Sequence, residues 1–89
     1  MTFLFLQQYN TIKNKVEYFK ITNCTQLKTL TIPSSVTAFY YMAFDGCSKL
    51  DTIYYNGVME QWFNISKTNN WSKDIIANSV VCKNGTVTI

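Results

Sequence analysis

Apolar and polar positions in the middle of the chain follow one pattern that occurs twice, 23 residues apart. The first copy occupies residues 24–32 and the second residues 47–55. The matching positions are Cys24 with Cys47, Leu27 with Leu50, Leu30 with Ile53, and Ile32 with Tyr55. A pattern that recurs at a fixed period in the twenties predicts a stack of similar units, each made of one strand and a returning segment.

Each copy ends in an alternating segment that predicts a strand. In LKTLTI, Leu30 and Ile32 fall on one face and threonines on the other, which is typical of a half-buried strand. Pro33 ends this strand because proline has no N–H to donate to a neighbouring strand. Residues 51–55 repeat the geometry, with Ile53 facing the core. The residues predicted to face outward are Thr29, Thr31, Thr52 and Tyr54.

The segment between the two strands is predicted to return along the opposite side of the unit. It covers residues 36–44, and Ala43 and Phe44 should point into the core. The pair Asp45-Gly46 then forms a turn that leads into the second cysteine. We expect Phe44 and Leu50 to be buried where the repeats meet the rest of the chain.

A short helix is predicted after the second copy. Met59, Trp62 and Phe63 stand at helical spacing, so residues 58–65 should form a helix with one apolar face. Residues 66–73 are polar apart from Trp71 and should form a loop.

The last segment predicts a β-hairpin. Two runs rich in β-branched residues, 80–82 and 86–89, flank Asn84-Gly85, which is a common hairpin turn. A helix and a hairpin at this position would cover the open end of a repeat stack.

Residues 1–23 are predicted to form a degenerate first unit, with a strand at residues 3–6. The next segment has two interpretations, because Tyr9, Ile12, Val16 and Phe19 stand at helical spacing, and we favour a short amphipathic helix over a coil of the repeat. The predicted strand is apolar on both faces and has an open edge, so we expect self-association through it unless another unit or a partner covers it. The residues predicted to self-associate are Phe3, Leu4, Phe5 and Leu6.

The segment CTQLKTLTIPSSVTAFYYMAFDGCSKLDTIYYNG resembles the BspA-type leucine-rich repeats, whose pattern is C-x-x-L-x-x-I-x-I-P-x-S-V-T-x-I-G-x-x-A-F-x-x-C. The tail, with YYNG, QW, NW, a valine-rich strand and an Asn-Gly turn, is similar to the end of many such arrays. The resemblance covers roughly residues 18–89. It implies an α+β repeat solenoid, a short leucine-rich-repeat array with parallel strands, a short helix and a C-terminal β-hairpin cap.

On this basis residues 1–89 form a single leucine-rich-repeat domain, with a first coil at 1–23, repeats at 24–57 and a C-terminal cap at 58–89. Two positions depart from the family pattern. Tyr40 stands where the family usually has glycine, and Val58 stands where it often has threonine, which removes a side-chain cap from the predicted helix. Members of the family are mostly surface or secreted proteins that bind host proteins or other cells, and the resemblance implies no catalytic residues.

Composition supports a packed domain and disfavours several functions. Apolar residues make up 47% of the chain and charged residues 15%, which predicts an ordered core. The net charge of +3 comes from dispersed lysines without arginine, so a nucleic-acid partner is not expected. The chain has no histidine, scattered acidic residues and no C-x-x-C, so we expect no enzymatic activity, no metal and no cofactor.

Cys24 and Cys47 occupy equivalent positions in adjacent units. Parallel side chains on neighbouring strands are about 4.8 Å apart, whereas a disulfide requires Cβ atoms about 3.8 Å apart that turn toward each other. We therefore interpret both cysteines as small buried hydrophobic residues, with a disulfide as the alternative.

The outward strand residues predict a binding surface, because repeat proteins bind partners on such ordered faces. Lys28 and Asp51 flank this surface, and Tyr40 and Tyr41 add a second aromatic group on the returning side, where covering the core edge is an equal alternative. We therefore predict a non-enzymatic protein–protein interaction module of leucine-rich-repeat type, with a surface adhesin as its setting.

Two other functions are open at the level of sequence. One is a small stand-alone intracellular inhibitor that docks on an enzyme or a nucleic-acid machine. The other is carbohydrate binding through Trp62, Trp71, Tyr40 or Tyr41. No secretory signal or membrane span is encoded, so the location is the cell surface or exterior if the chain is part of a longer family member, and the cytoplasm if it is complete.

Overall fold

The structure is a computed structural model that describes residues 11–12, 15–16, 18–39, 41–68 and 70–89. These residues form nine short strands and one helix. The elements are β1 (Thr11–Ile12), β2 (Lys15–Val16), β3 (Tyr18–Phe19), β4 (Thr29–Ile32), β5 (Ala38–Phe39), β6 (Thr52–Tyr55), α1 (Met59–Phe63), β7 (Ser66–Lys67), β8 (Ser79–Cys82) and β9 (Gly85–Thr88). The strand predicted at Phe3, Leu4, Phe5 and Leu6 lies outside the described residues, as does Tyr40.

From β3 to β8, successive strands alternate between two sheets. Strands β3, β5 and β7 pair in parallel and form a three-stranded sheet. Strands β4, β6 and β8 also run parallel and form a second sheet, which β9 extends in the antiparallel direction. Each passage of the chain therefore adds one strand to each sheet, and the described residues contain three such passages.

The 23-residue period sets the register between the first two passages. Thr29 pairs with Thr52, and the register continues to Ile32 and Tyr55. Outside the strands, the Ile21 N–H donates to the Ala43 carbonyl at 2.8 Å, so the parallel arrangement extends into the segment before the first cysteine.

The third passage is longer than the second. Ile53 pairs with Val80, an offset of 27 residues, where the preceding offset is 23. The longer connection contains α1, which lies between β6 and β7. Residues 58–89, which the sequence assigned to a cap, thus continue both sheets through β7 and β8.

Besides Met42 and Asn70, a left-handed backbone conformation occurs at one matching point in each passage. The three residues are Asn23 with φ 58°, Gly46 with φ 79° and Asp74 with φ 79°. The residues that follow them, and that pack in or against the core, are Cys24, Cys47 and Ile75. Glycine suits position 46 because it adopts this backbone conformation without strain. A side chain there would also be crowded, since a Cβ would lie 2.7 Å from Oδ1 of Asn23.

The core lies between the inner faces of the two sheets and is rich in aromatic side chains. Phe39 is at its centre, with ring centroids 5.9 Å from Phe19, 5.8 Å from Phe44 and 5.6 Å from Trp62. Phe44 and Leu50 are fully buried, which confirms the prediction for both, and Ala43 is buried as predicted. The apolar residues of the larger sheet complete this layer, namely Leu30, Ile32, Ile53, Tyr55, Val80 and Cys82.

The helix predicted over Tyr9, Ile12, Val16 and Phe19 is wrong for the part of this segment that the structure describes. Strands β1 and β2 pair in the antiparallel direction, and β3 pairs with β5. The reason is tertiary, because Phe19 is 2% exposed and packs edge-on against Phe39. Pairing with β5 fixes this residue in an extended backbone, and this outweighs the local helical spacing.

The short helix is present, but its apolar face differs from the prediction. Trp62 is 3% exposed, whereas Phe63 is 66% exposed. Helix α1 has only five residues and ends at Phe63, and its inward residues are Trp62 and the half-buried Met59, which packs against the core. Beyond the helix, Ile65 is buried at 5% exposure.

The loop predicted for residues 66–73 contains a strand. Ser66 and Lys67 form β7, and the Ser66 N–H donates to the Thr37 carbonyl at 2.9 Å. Two residues are too few to show periodicity, so only the pairing with β5 identifies this strand. Trp71 lies against the core and stacks on Phe39 at a centroid distance of 5.1 Å.

The predicted hairpin is present and also caps the helix. Strands β8 and β9 pair from Ser79 with Thr88 to Cys82 with Gly85. Val58 supplies no side-chain cap, as the sequence indicated. The free backbone N–H groups are satisfied instead by Gln61 Oε1, which accepts from Val58 at 2.9 Å, and by Asn84 Oδ1 of the hairpin turn, which accepts from Met59 at 2.8 Å.

Candidate interaction surface

The outer face of the four-stranded sheet carries side chains that point away from the core. Alternation along β4, β6, β8 and β9 places every second residue there. We call this set the outer sheet face. Its residues are Thr29, Thr31, Thr52, Tyr54, Ser79, Val81, Thr86 and Thr88, all exposed or half-buried.

The register arranges these residues in rows across the strands. Thr31 pairs with Tyr54, Tyr54 with Val81, and Val81 with Thr86. Neighbouring strands are about 4.8 Å apart, so the four side chains form one continuous row. Tyr54 is 44% exposed and Val81 40% exposed, which gives the row an apolar centre between two hydroxyl groups.

The predicted charged residues lie where the strands begin. Lys28 precedes β4 and Asp51 precedes β6, and both are exposed. The Asp51 N–H donates to the Lys28 carbonyl at 3.0 Å, and the Asp51 carboxylate accepts from the Thr52 hydroxyl at 2.9 Å. The structure therefore brings the two charged residues together with the predicted threonines at one end of the outer sheet face.

A shallow depression lies at the opposite end, where these strands finish. Its lining includes Thr31, Tyr54 and Val81 from the row, together with Asn56 and Lys83. Tyr55 and Cys82 also contribute to the lining, but both are buried residues of the core layer. No carboxylate is among the lining residues, so Lys83 is the one charged group at this depression within the described part of the chain.

Sequence reasoning missed Val81, Asn56 and Lys83 as surface residues of this site. Val80 and Val81 are chemically identical neighbours, so the sequence did not show which of them is exposed. The segment pointed to a cap hairpin, and nothing in the sequence showed that β8 pairs with β6.

Tyr41 does not join the outer sheet face. It is 56% exposed, but it lies in the segment that follows β5 of the smaller sheet. The structure therefore brings the predicted strand residues together and leaves Tyr41 apart from them.

The two tryptophans considered for carbohydrate binding pack inward. Trp62 is 3% exposed and contacts Tyr55 with ring centroids 5.4 Å apart. Trp71 is half-buried and lies nearly parallel to Phe39, with 10° between the ring planes. The Trp62 indole is therefore buried, and one face of the Trp71 indole is covered by Phe39.

Lys67 has a structural environment of its own. Its ammonium donates to the Trp62 carbonyl at 2.7 Å and to the Ile65 carbonyl at 3.0 Å, and it lies 4.7 Å from the centre of the Trp62 ring. These contacts satisfy carbonyl groups at the end of α1. Partial burial lowers the pKa of Lys67 below its ordinary value.

The three cysteines are buried and form no disulfide. Cys24 is 7% exposed and Cys47 is fully buried, which confirms the burial predicted for both. Burial raises the pKa of the Cys47 thiol to about 11, so this group stays protonated at neutral pH. Cys82 is also buried, and burial raises the pKa of its thiol.

Two further properties belong to the part of the chain that the structure describes. No helix there is long and apolar enough to cross a bilayer. No group of three or more metal-ligating side chains is placed to hold an ion within the same residues.

Comparisons with known proteins identify no relative of this chain. No protein-family model, no curated protein and no solved structure matches the chain. The resemblance to BspA-type repeats therefore stays a prediction from the sequence motifs, and the case for a binding surface rests on the geometry.

Proposed function

We propose that this chain is a non-enzymatic protein–protein interaction module of leucine-rich-repeat type that binds its partner through the outer sheet face. The observation that carries the proposal is the row formed by Thr31, Tyr54, Val81 and Thr86. The exposed tyrosine of this row is of a residue type that is enriched at the centre of protein interfaces.

The rigidity of the sheet supports the same proposal. Beneath the row, the inward residues Leu30, Ile53 and Val80 are at most 3% exposed. Side chains held on a packed sheet lose little additional freedom when a partner binds, which favours affinity.

The arrangement of the strands supports a short repeat solenoid as the scaffold. Three passages place one strand each in two parallel sheets, and a left-handed residue recurs at Asn23, Gly46 and Asp74. In solenoids, stacked strands of this kind present a continuous surface to a partner. Adhesion is the setting that the motif resemblance favours, and self-association through Phe3, Leu4, Phe5 and Leu6 is a separate part of the proposal.

The proposal is tested by selecting peptides from a displayed random library on the immobilised chain. Binding of the selected peptides is then measured on a double variant, Tyr54→Ser with Val81→Ser, which removes the apolar centre of the row. A matched control, Phe63→Ser with Ile76→Ser, removes apolar side chains that are 66% and 62% exposed and do not belong to the outer sheet face. Thermal unfolding of both variants establishes that they are folded.

We expect the first double variant to lose binding at least tenfold and the control to retain it. Selected peptides that bind both variants as well as the original chain would contradict the proposal. Turnover of a substrate that one point mutation abolishes would contradict its non-enzymatic part.

A further inference from the structure

We infer that the partner presents an extended segment with an apolar side chain next to a carboxylate, and that this segment docks in the depression beside Lys83. The inference rests on the proposed function and specifies the chemistry of the partner. It follows from the shape and the charge of one end of the outer sheet face.

The apolar side chain of the partner is inferred from the residues that line the depression. Tyr54 and Val81 pair across β6 and β8, and the two residues are 44% and 40% exposed. Both border the depression. A side chain that enters between them would remove apolar surface from water on the ring and on the isopropyl group at once. An aromatic or large aliphatic residue of the partner fits this position.

The carboxylate of the partner is inferred from Lys83, which comes directly after β8. Its backbone N–H donates to the Gly57 carbonyl at 2.8 Å, so the position of the residue is fixed relative to the end of β6. Among the described residues, its ammonium has no carboxylate partner. The acidic residue Glu60 contacts the hairpin turn that contains Lys83. Its carboxylate accepts from the Asn84 amide at 3.4 Å and does not line the depression. A carboxylate on the partner would therefore meet an unopposed positive charge.

The charged residues at the other end of the outer sheet face favour one orientation of the partner segment. Asp51 lies before β6, at the end of the outer sheet face opposite Lys83. A carboxylate at that end would face a like charge, although Lys28 is beside it. The partner carboxylate is therefore favoured at the Lys83 end and disfavoured at the Asp51 end.

Hydrogen-bonding groups around the depression suit a peptide backbone. The Thr31 hydroxyl and the Asn56 amide border it, and each can donate and accept. Such groups match the alternating N–H and C=O groups of an extended segment.

The experiment uses the peptides selected on the intact chain, analysed by sequence and by affinity. We expect enrichment of peptides in which an aromatic or aliphatic residue lies within two positions of Asp or Glu. For a synthetic peptide of this kind, Lys83→Glu should weaken binding about three- to tenfold, since an exposed ion pair contributes modestly and charge reversal replaces attraction with repulsion. Lys49→Glu makes the same change in net charge at an exposed residue outside the depression and should leave binding unchanged.

Replacing the peptide's acid with its amide should weaken binding to the original chain and strengthen binding to the Lys83→Glu variant, because it removes a repulsion between two carboxylates. Peptides that lose binding with Tyr54→Ser and Val81→Ser, yet show no acidic preference and no response to Lys83→Glu, would overturn this inference and leave the proposed function standing. Peptides insensitive to the Tyr54 and Val81 changes would overturn both.

Discussion

Phe44 and Leu50 are the residues whose truncation should damage the fold most clearly. Both are fully buried, and Phe44 contacts the rings of Phe19, Phe39 and Trp71. We expect Phe44→Ala to reduce the free energy of unfolding by about 3–5 kcal/mol and Leu50→Ala by about 2–5 kcal/mol, because each loses transfer free energy and leaves a cavity.

The matched control for these changes is Ile76→Ala. Ile76 is 62% exposed, so its truncation should change the free energy of unfolding by less than about 0.5 kcal/mol. The measurement is urea unfolding followed by tryptophan fluorescence. Equal midpoints for all three variants would mean that the inward face has been assigned incorrectly.

Asp74 should make the stability of the fold depend on acidic pH. The Gly46 N–H donates to Asp74 Oδ2 at 3.1 Å, and this bond, followed by one with the Asp45 side chain, lowers the pKa of Asp74. A carboxyl group whose pKa is lower in the folded state stabilises the fold above its unfolded pKa of about 3.9, and this contribution is lost as pH falls through the lower folded value.

The pH dependence is tested with Asp74→Asn, which keeps an oxygen acceptor for Gly46 but removes the charge. The original chain should be more stable than the variant at pH 6, and this difference should shrink as the pH approaches 3. Urea midpoints measured at both pH values provide the comparison. A difference that does not change between them would show that ionisation of Asp74 has no linkage to folding.

At the scale of elements, Asn84 connects the hairpin turn to the helix. Its Oδ1 accepts from the Met59 N–H at 2.8 Å, which satisfies a free donor at the start of α1. Asn84→Ala should therefore reduce the free energy of unfolding by about 1 kcal/mol, as loss of a side-chain helix cap does.

Asn78→Ala provides the control for this cap. Asn78 is exposed, and within the part of the chain that the structure describes only its backbone carbonyl forms a hydrogen bond, accepting from the Ile89 N–H at 3.0 Å. Thermal unfolding followed by circular dichroism compares the two variants. If both shift the midpoint equally, the Asn84 side chain does not cap the helix.

Elements with a clear local pattern were predictable from the sequence, and those defined by pairing were not. The alternation around Leu30 and Ile53 indicated both strands, and Asn84-Gly85 indicated the hairpin. Strand β7 has only two residues, so it has no periodicity and is recognisable only by its bonds to β5. Phe63 had helical spacing, but it is exposed at the last position of α1, and Ile65 beyond the helix is buried instead.

At the scale of the whole molecule, the sequence indicated only part of the candidate site. The 23-residue period placed Thr31 beside Tyr54, as the register between β4 and β6 does. The next offset is 27 residues, because the third passage contains α1, and Ile75 stands where the first two passages have cysteine. A pattern search at constant period therefore stops before β8 and does not find Val81 or Lys83.

Self-association is a prediction for the whole molecule that comes from the sequence alone. Phe3 and Phe5 belong to an apolar run that has no polar face. We expect the original chain to associate in a concentration-dependent manner, and Phe3→Lys with Phe5→Lys to make it monomeric, because charge opposes burial of such a segment. Light scattering measures the mass of each.

Phe63→Lys is the control for general solubility, since Phe63 is the most exposed large apolar residue of the described part of the chain at 66%. It should leave the association unchanged. A monomeric original chain at high concentration would contradict the predicted role of residues 3–6.

The central claim is that the outer sheet face binds the partner, and chemical-shift mapping by nuclear magnetic resonance tests it most directly. The labelled chain is titrated with the tightest peptide from the selection. The account predicts that the largest shifts fall on the amides of β4, β6 and β8, centred on Tyr54 and Val81, while the amides of β5 and β7 change little. Largest shifts in β5, β7 or the segment around Tyr41, with β4, β6 and β8 unchanged, would contradict it.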